Sequence, residues 1–202
     1  MIYFVTAIGT DSGKTVVSAI VTEAFSADYW KPIQAGLPKD SDHVKALISN
    51  GESKILPERY LLKTAASPHF AAEVDQVLIR LADFSLPDYK AETLVVEGAG
   101  GALVPINDTD FVIDIAQQID CKLIVVCNLY LGSINHTLLT FSELRKRGLT
   151  IAGIVFNGKS NPASEEIILK HTQAKKLLHM LPADHIDQEW ISGYAKDLRN
   201  NL

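Results

Sequence analysis

Short apolar runs alternate along the chain with longer segments of mixed polarity. Residues 2–8, 29–33, 93–97, 123–127 and 151–156 are rich in β-branched, aromatic and other apolar side chains, as strands buried on both faces are. Segments 14–26, 40–49, 72–83, 110–119, 133–147, 162–174 and 188–200 predict helices. A short apolar piece at 177–181, ended by Pro182, predicts a last edge strand. Strands and helices in alternation define an α/β chain with a mostly parallel sheet covered on both sides. No repeat, linker or low-complexity tract interrupts residues 1–202, which predicts a single domain, and the polar stretch 39–59 is the least regular part. In such sheets ligands sit beyond the carboxyl ends of the strands, so residues just after each strand are the functional candidates.

Composition narrows the classes. A length of 202 residues suffices for one α/β core, and 47% hydrophobic with 21% charged residues is ordinary for a water-soluble domain. A formal charge of −5 argues against nucleic acid or an anionic membrane as partner. Arg145-Lys146-Arg147 is short and falls at a predicted helix end, where cations favour the dipole. No apolar run approaches the roughly 20 residues that span a bilayer. The first apolar stretch has no basic segment ahead of it and does not read as a signal peptide. Cys121 and Cys127 lie about 20 Å apart if both belong to one strand and its lead-in, beyond disulfide reach. Both read as buried, reduced thiols of a cytoplasmic protein.

The run Gly9-Thr10-Asp11-Ser12-Gly13-Lys14-Thr15 lies between the first strand and the first helix. Gly-Lys-Thr at that junction predicts a phosphate cradle, with backbone N–H groups and a helix N-terminus facing the anion. Lys14 then lies near the outer phosphates and the Thr15 hydroxyl within reach of magnesium. The general pattern places a glycine six residues before the lysine, and that position is Ile8. The loop alone therefore does not settle the assignment.

Other strand ends add to it. Thr93-Leu94-Val95-Val96-Glu97 closes on a carboxylate and leads into Gly98-Ala99-Gly100-Gly101, a backbone able to approach a ligand closely. An acid there resembles the magnesium-binding element of nucleotide-binding proteins. Lys31 ends an apolar strand and needs an anion, either a phosphate or a neighbouring acid such as Asp42. Ser41-Asp42 also fits a helix cap, as does Gly132-Ser133-Ile134-Asn135-His136-Thr137. Asn157 ends a strand where its amide can read a base edge. The six histidines form no i, i+4 pair, which argues against zinc.

Taken together, FVTAIGTDSGKT, YWKPIQAG, the pair Ser41-Asp42, Ser67-Pro68-His69, VVEGAGGALVPI, LGSINHT and IAGIVFN resemble, in order, the dethiobiotin synthetase family. The resemblance runs from Tyr3 to about Pro182. That family's phosphate loop has irregular glycine spacing, which accounts for Ile8. The resemblance implies a three-layer P-loop NTPase fold of the dinitrogenase-reductase-like branch, with a parallel seven-stranded sheet and a homodimer. It implies the Mg²⁺- and ATP-dependent joining of carbon dioxide to 7,8-diaminononanoate through a carbamate and its mixed anhydride with phosphate. The products are dethiobiotin, ADP and phosphate.

Position by position, the resemblance puts Lys14 on the β- and γ-phosphates and Thr15, Asp42 and Glu97 on magnesium. Lys31 becomes the active-site lysine. Thr10 and Asp11 line the junction of nucleotide and diamine. Ser12, Gly13, Val16 and Gly98-Ala99-Gly100 surround phosphate or substrate, and Asn157 reads adenine. Ile134 and Asn135 reach the substrate carboxylate bound in the partner subunit. Lys31→Ala is accordingly expected to abolish turnover and leave the fold intact.

Three departures stand out. Ala7 replaces a common glycine of the family's loop. Ala35 stands where a substrate-contacting hydroxyl is frequent, which removes one hydrogen bond worth on the order of 1 kcal/mol. The adenine contacts expected of Pro182, Ala183 and Asp184, with Glu189, rest on a poorly matching segment. The rival reading, a switch ATPase of the partition or septum-placing type, wants an extra lysine early in the loop, where this chain has Ala7-Ile8-Gly9. A corrin-acid amidoligase would need a glutaminase domain for which the chain has no room. A non-catalytic binding protein would not need Lys14, Lys31, Asp42 and Glu97 together.

Overall fold

The structure, a computed structural model, describes all residues 1–202. Seven parallel strands form one sheet in the order β4-β2-β6-β1-β7-β8-β9, where β1 is Ile2–Ala7, β2 Asp28–Trp30, β4 Ile55–Leu56, β6 Leu94–Glu97, β7 Lys122–Asn128, β8 Ile151–Asn157 and β9 Lys176–Met180. Side chains alternate across this sheet as a period of two requires. Phe4, Val96, Val125 and Phe156 enter one core, and Val5, Val95, Ile124 and Val155 the other. The first core is closed by α3 (Pro68–Val74), α4 (Val112–Gln118), α5 (Ser133–Lys146) and α6 (Pro162–Thr172). The second is closed by α1 (Lys14–Phe25), α2 (Asp40–Leu47) and α7 (Gln188–Asn201). The expected three-layer, mostly parallel architecture is therefore present. No helix is long and apolar enough to cross a membrane.

Two expected elements are corrected. The strand expected at 29–33 divides: Asp28–Trp30 pairs with β6 and β4, while β3, Ile33–Ala35, pairs with β5, Tyr60–Leu62, in a separate two-stranded sheet. Pro32 has no N–H to continue a ladder, and only its carbonyl is used, by Tyr60 N at 3.0 Å. The break turns Lys31 out of the sheet at its carboxyl edge. The helix expected at 72–83 instead occupies Pro68–Val74. Pro68 fixes its first turn, and Gln76 at φ 56° prevents continuation. Beyond it Leu78 is exposed and Ile79 buried, the alternation of extended chain. The strands β4 and β5 were not expected, being too short to display a period.

Both cysteines are free. Cys127 is buried, with Sγ 3.1 Å from Thr137 Oγ1, and Cys121 is half-buried. Burial, helped by the charge of Asp120, pushes the Cys121 thiol up to about 12; burial pushes that of Cys127 up to about 11 against the Thr137 hydrogen bond. A raised thiol pKa leaves little thiolate at pH 8, and thiolate is the reactive form. Ellman's reagent at pH 8 should label the native chain far more slowly than the chain in guanidinium. Equal rates would contradict the burial of Cys127 and the partial burial of Cys121.

Candidate active site

The site is assembled at the carboxyl ends of β1, β2 and β6. After β1 the chain turns through residues 9–13 and enters α1. Gly13 at φ 94° is the N-cap and offers no side-chain cap, so the first turn of α1 presents its N–H groups outward. A Cβ on Gly13 would lie 2.6 Å from Asn157 Nδ2, so only glycine fits there. Asp11 holds a positive φ of 54°, which Asp tolerates better than most residues. The loop is tied from behind. Ser12 Oγ donates to Asn128 Oδ1 at 2.8 Å and lies 3.1 Å from Gly9 O, and Asn157 Nδ2 donates to Ser12 O at 2.9 Å. Lys14 Nζ folds over the loop to Gly9 O at 3.2 Å.

Glu97, at the tip of β6, is buried and saturated with donors. Its Oε1 accepts from Thr15 Oγ1 at 2.9 Å and from Lys31 Nζ at 2.8 Å, and its Oε2 accepts from Tyr29 Oη at 2.9 Å. Lys31 Nζ also pairs with Asp40 and points at Gly98 O, 3.4 Å away. Asp40 is held by its backbone N–H, which donates to Gln34 Oε1 at 3.0 Å. Burial disfavours the Lys31 ammonium, but the charges of Glu97 and Asp40 outweigh it and keep its pKa above the ordinary lysine value. Lys14 has less compensation. Burial dominates and, with repulsion from Lys31, outweighs the attraction of Glu97, lowering its pKa to about 8. A polyphosphate arriving here would supply the counter-charge that Lys14 lacks.

These groups face a cavity of about 790 Å³. Thr10, Asp11, Ser12, Gly13, Lys14, Thr15, Val16, Lys31, Ala35, Glu97, Ala99 and Gly100 all line it. Gly98 stands just behind, through its carbonyl. Asp42 does not join them. Its side chain is 64% exposed and nears only Lys39, at 4.0 Å. The carboxylate that α2 brings to the cavity is Asp40, because two residues turn a helix by about 200°. Asn157 braces the phosphate loop and is not part of the cavity wall. Pro182, Ala183 and Asp184 are exposed beyond the end of β9, and Glu189 is exposed on α7; none lines the cavity. Ile134 and Asn135 open α5 outside the cavity, with Asn135 exposed.

Sequence reasoning missed Tyr29, Gln34, Asp40 and Asn128. For Tyr29 a signal existed: it stands two residues before Lys31, on the same side of an extended chain. Asp40 carries no such mark, since it differs from Asp42 only in helical phase.

A phosphate loop between β1 and α1, with a carboxylate at the tip of the neighbouring parallel strand, defines a P-loop nucleotide-binding protein of the α/β class. A family model described as an AAA domain matches residues 2–188. The ATP-dependent dethiobiotin synthetase BioD of Cytophaga hutchinsonii is 56% identical over 200 residues, covering 98% of this chain and 97% of that one. The protein of the same name from Christiangramia forsetii is 43% identical over 202 residues, covering 99% and 97%. The chain belongs to the dethiobiotin synthetase family. Among solved structures, a ParA family ATPase from Chlorobium tepidum superposes with a TM-score of 0.59 at 12% identity, covering 99% of this chain and 95% of that one. The septum site-determining protein MinD of Pyrococcus horikoshii, complexed with Mg-ADP, gives 0.58 at 14%, covering 100% and 93%. At such identities the likeness is one of fold, and it does not favour the switch-ATPase reading.

Proposed function

We propose that this chain closes the ureido ring of dethiobiotin, using ATP to carboxylate 7,8-diaminononanoate. The observation that carries this reading is the meeting of Lys14, Lys31, Thr15 and Glu97 in one cavity between two glycine-bearing loops. An amine of the substrate adds to carbon dioxide and loses a proton, giving a carbamate. A carbamate oxygen attacks the γ-phosphorus of ATP and ADP leaves. The second amine then attacks the carbonyl carbon of the mixed anhydride, and phosphate leaves as the ring closes. Each stage gathers negative charge at one place, and catalysis of phosphoryl transfer rests mainly on positioning and offsetting that charge.

The residues divide that work. Lys14 and the first-turn N–H groups of α1 hold the outer phosphates. Lys31, at the mouth of the Gly98-Ala99-Gly100 loop, faces the carbamate and the transferring phosphoryl group. Binding there requires the incoming anion to displace Asp40 from Lys31 or to share it. Thr10 and Asp11 lie where nucleotide and diamine meet, and Ala35 lines the diamine side without a hydroxyl to offer. Thr15 Oγ1 and Glu97 Oε1 are hard oxygen donors 2.9 Å apart on a polar wall, a set that suits magnesium. These two would hold it, and the ion would supply charge neutralisation between the phosphates. Asn157 acts on the nucleotide through the loop it braces, with Pro182, Ala183 and Asp184 beyond it toward the base. The diamine carboxylate is met by Ile134 and Asn135 of a second copy, making the working unit a homodimer.

The test is direct. Purified chain given diaminononanoate, bicarbonate and Mg·ATP should form dethiobiotin with ADP and phosphate in equal amounts. ATP hydrolysis indifferent to the diamine but stimulated by DNA or lipid would overturn the reading.

A further inference from the structure

The most unusual contact in the site is one that the proposed chemistry leaves unused: a buried phenol on the carboxylate at the tip of β6. Tyr29 is fully buried, and its hydroxyl donates to Glu97 Oε2 at 2.9 Å. The ring cannot withdraw easily. Tyr29 lies in β2 between β4 and β6, in register with Ile55 and Val95, and its N–H donates to Lys54 O at 2.8 Å. A phenol facing a carboxylate oxygen can only donate to it. The two oxygens of Glu97 are thereby made unequal. Oε2 is held inside by Tyr29, while Oε1 meets Thr15 and Lys31 at the cavity wall.

That inequality bears on which cation the site accepts. Magnesium is small, prefers octahedral geometry and takes a carboxylate through one oxygen. Calcium accepts six to eight ligands and readily takes both oxygens of one carboxylate. We propose that Tyr29 is a positioning residue that restricts Glu97 to one ligating oxygen and so biases the nucleotide site toward magnesium and against calcium. The proposal rests on the reading of this cavity as a Mg·ATP site. It concerns what Tyr29 does to Glu97, and Tyr29 itself touches neither metal nor substrate.

The experiment measures binding, not turnover. Magnesium and calcium are titrated by calorimetry into the full chain saturated with a non-hydrolysable ATP analogue. The ratio of their affinities is compared with that for the analogue alone. The wild-type chain should favour magnesium more strongly than the free analogue does. Tyr29→Phe, which keeps the ring and removes the donor, should lower that ratio by about tenfold, chiefly through tighter calcium binding. In a Glu97→Gln background Tyr29→Phe should leave the ratio unchanged, which a merely structural effect of the phenol would not.

A folded Tyr29→Phe chain with the wild-type ratio, or a shift that persists beside Glu97→Gln, overturns the proposal. If Tyr29→Phe does not fold, the wild-type measurement decides, and a ratio no higher than that of the free analogue overturns it. A chain that binds the analogue but discriminates as the analogue does refutes the role of Tyr29 alone. A chain that binds no nucleotide refutes the reading of the cavity as well.

Discussion

Lys31→Ala is expected to lower kcat by on the order of 10²–10³-fold or more, as removal of a preorganised charge from a phosphoryl-transfer site does. The structure adds a second consequence that sequence reasoning did not include. Lys31 is 4% exposed and is the cation between Glu97 and Asp40. Removing it leaves the fully buried Glu97 carboxylate with only Thr15 and Tyr29 as partners. Breaking a buried pair in this way costs about 3–5 kcal/mol, because one charge stays buried and uncompensated. The substitution should therefore lower the unfolding midpoint as well as kcat, and the expectation of an undisturbed fold is revised. Urea unfolding separates the two effects when kcat is measured well below the midpoint. Unchanged kcat in folded protein would remove Lys31 from the chemistry. Unchanged stability would mean that the Glu97 carboxylate finds another partner or reaches solvent in the variant.

What the sequence made legible follows from range. The strand–loop–helix at residues 2–25 is local: a β-rich run, glycines and a helical segment specify it without reference to the rest of the chain. The tip of β6 is equally local, since a strand ending in Glu97 and glycines announces itself. Lys31 was found because a lysine in an apolar run demands an anion. For that anion the sequence offers a phosphate or an acid such as Asp42, whereas the acids that the structure sets on Lys31 are Glu97 and, from α2, Asp40. The choice depends on where α2 begins and on its phase, and helix boundaries are the least certain feature of a sequence. The division of residues 29–35 between two sheets was marked by Pro32, but the partner strand Tyr60–Leu62 lies too far along the chain to be inferred. Asn128 was invisible for the same reason: it meets Ser12 across 116 residues.

Mixing two inactive variants should restore activity if the site is completed by a second copy. Asn135 is exposed at the start of α5 and does not line the cavity that holds Lys31. Within one chain it is therefore separated from the chemistry, so the proposed role of Asn135 requires a second copy. An apolar surface lies beside the phosphate loop. A smaller cavity of about 290 Å³ runs from Thr10 past Leu103 to Leu139 on α5, and Leu103, Leu131 and Leu139 are all exposed. Such a surface fits a symmetric contact in which each copy covers the other. Lys31→Ala and Asn135→Ala should each be nearly inactive alone. In a heterodimer both defects fall in one site, and the other has wild-type Lys31 facing wild-type Asn135. Random re-association makes about half the dimers mixed, so activity should return to about a quarter of wild type. Mixtures no more active than their parts, with heterodimers verified by differential tagging, would place Asn135 in the same chain's site or outside the reaction.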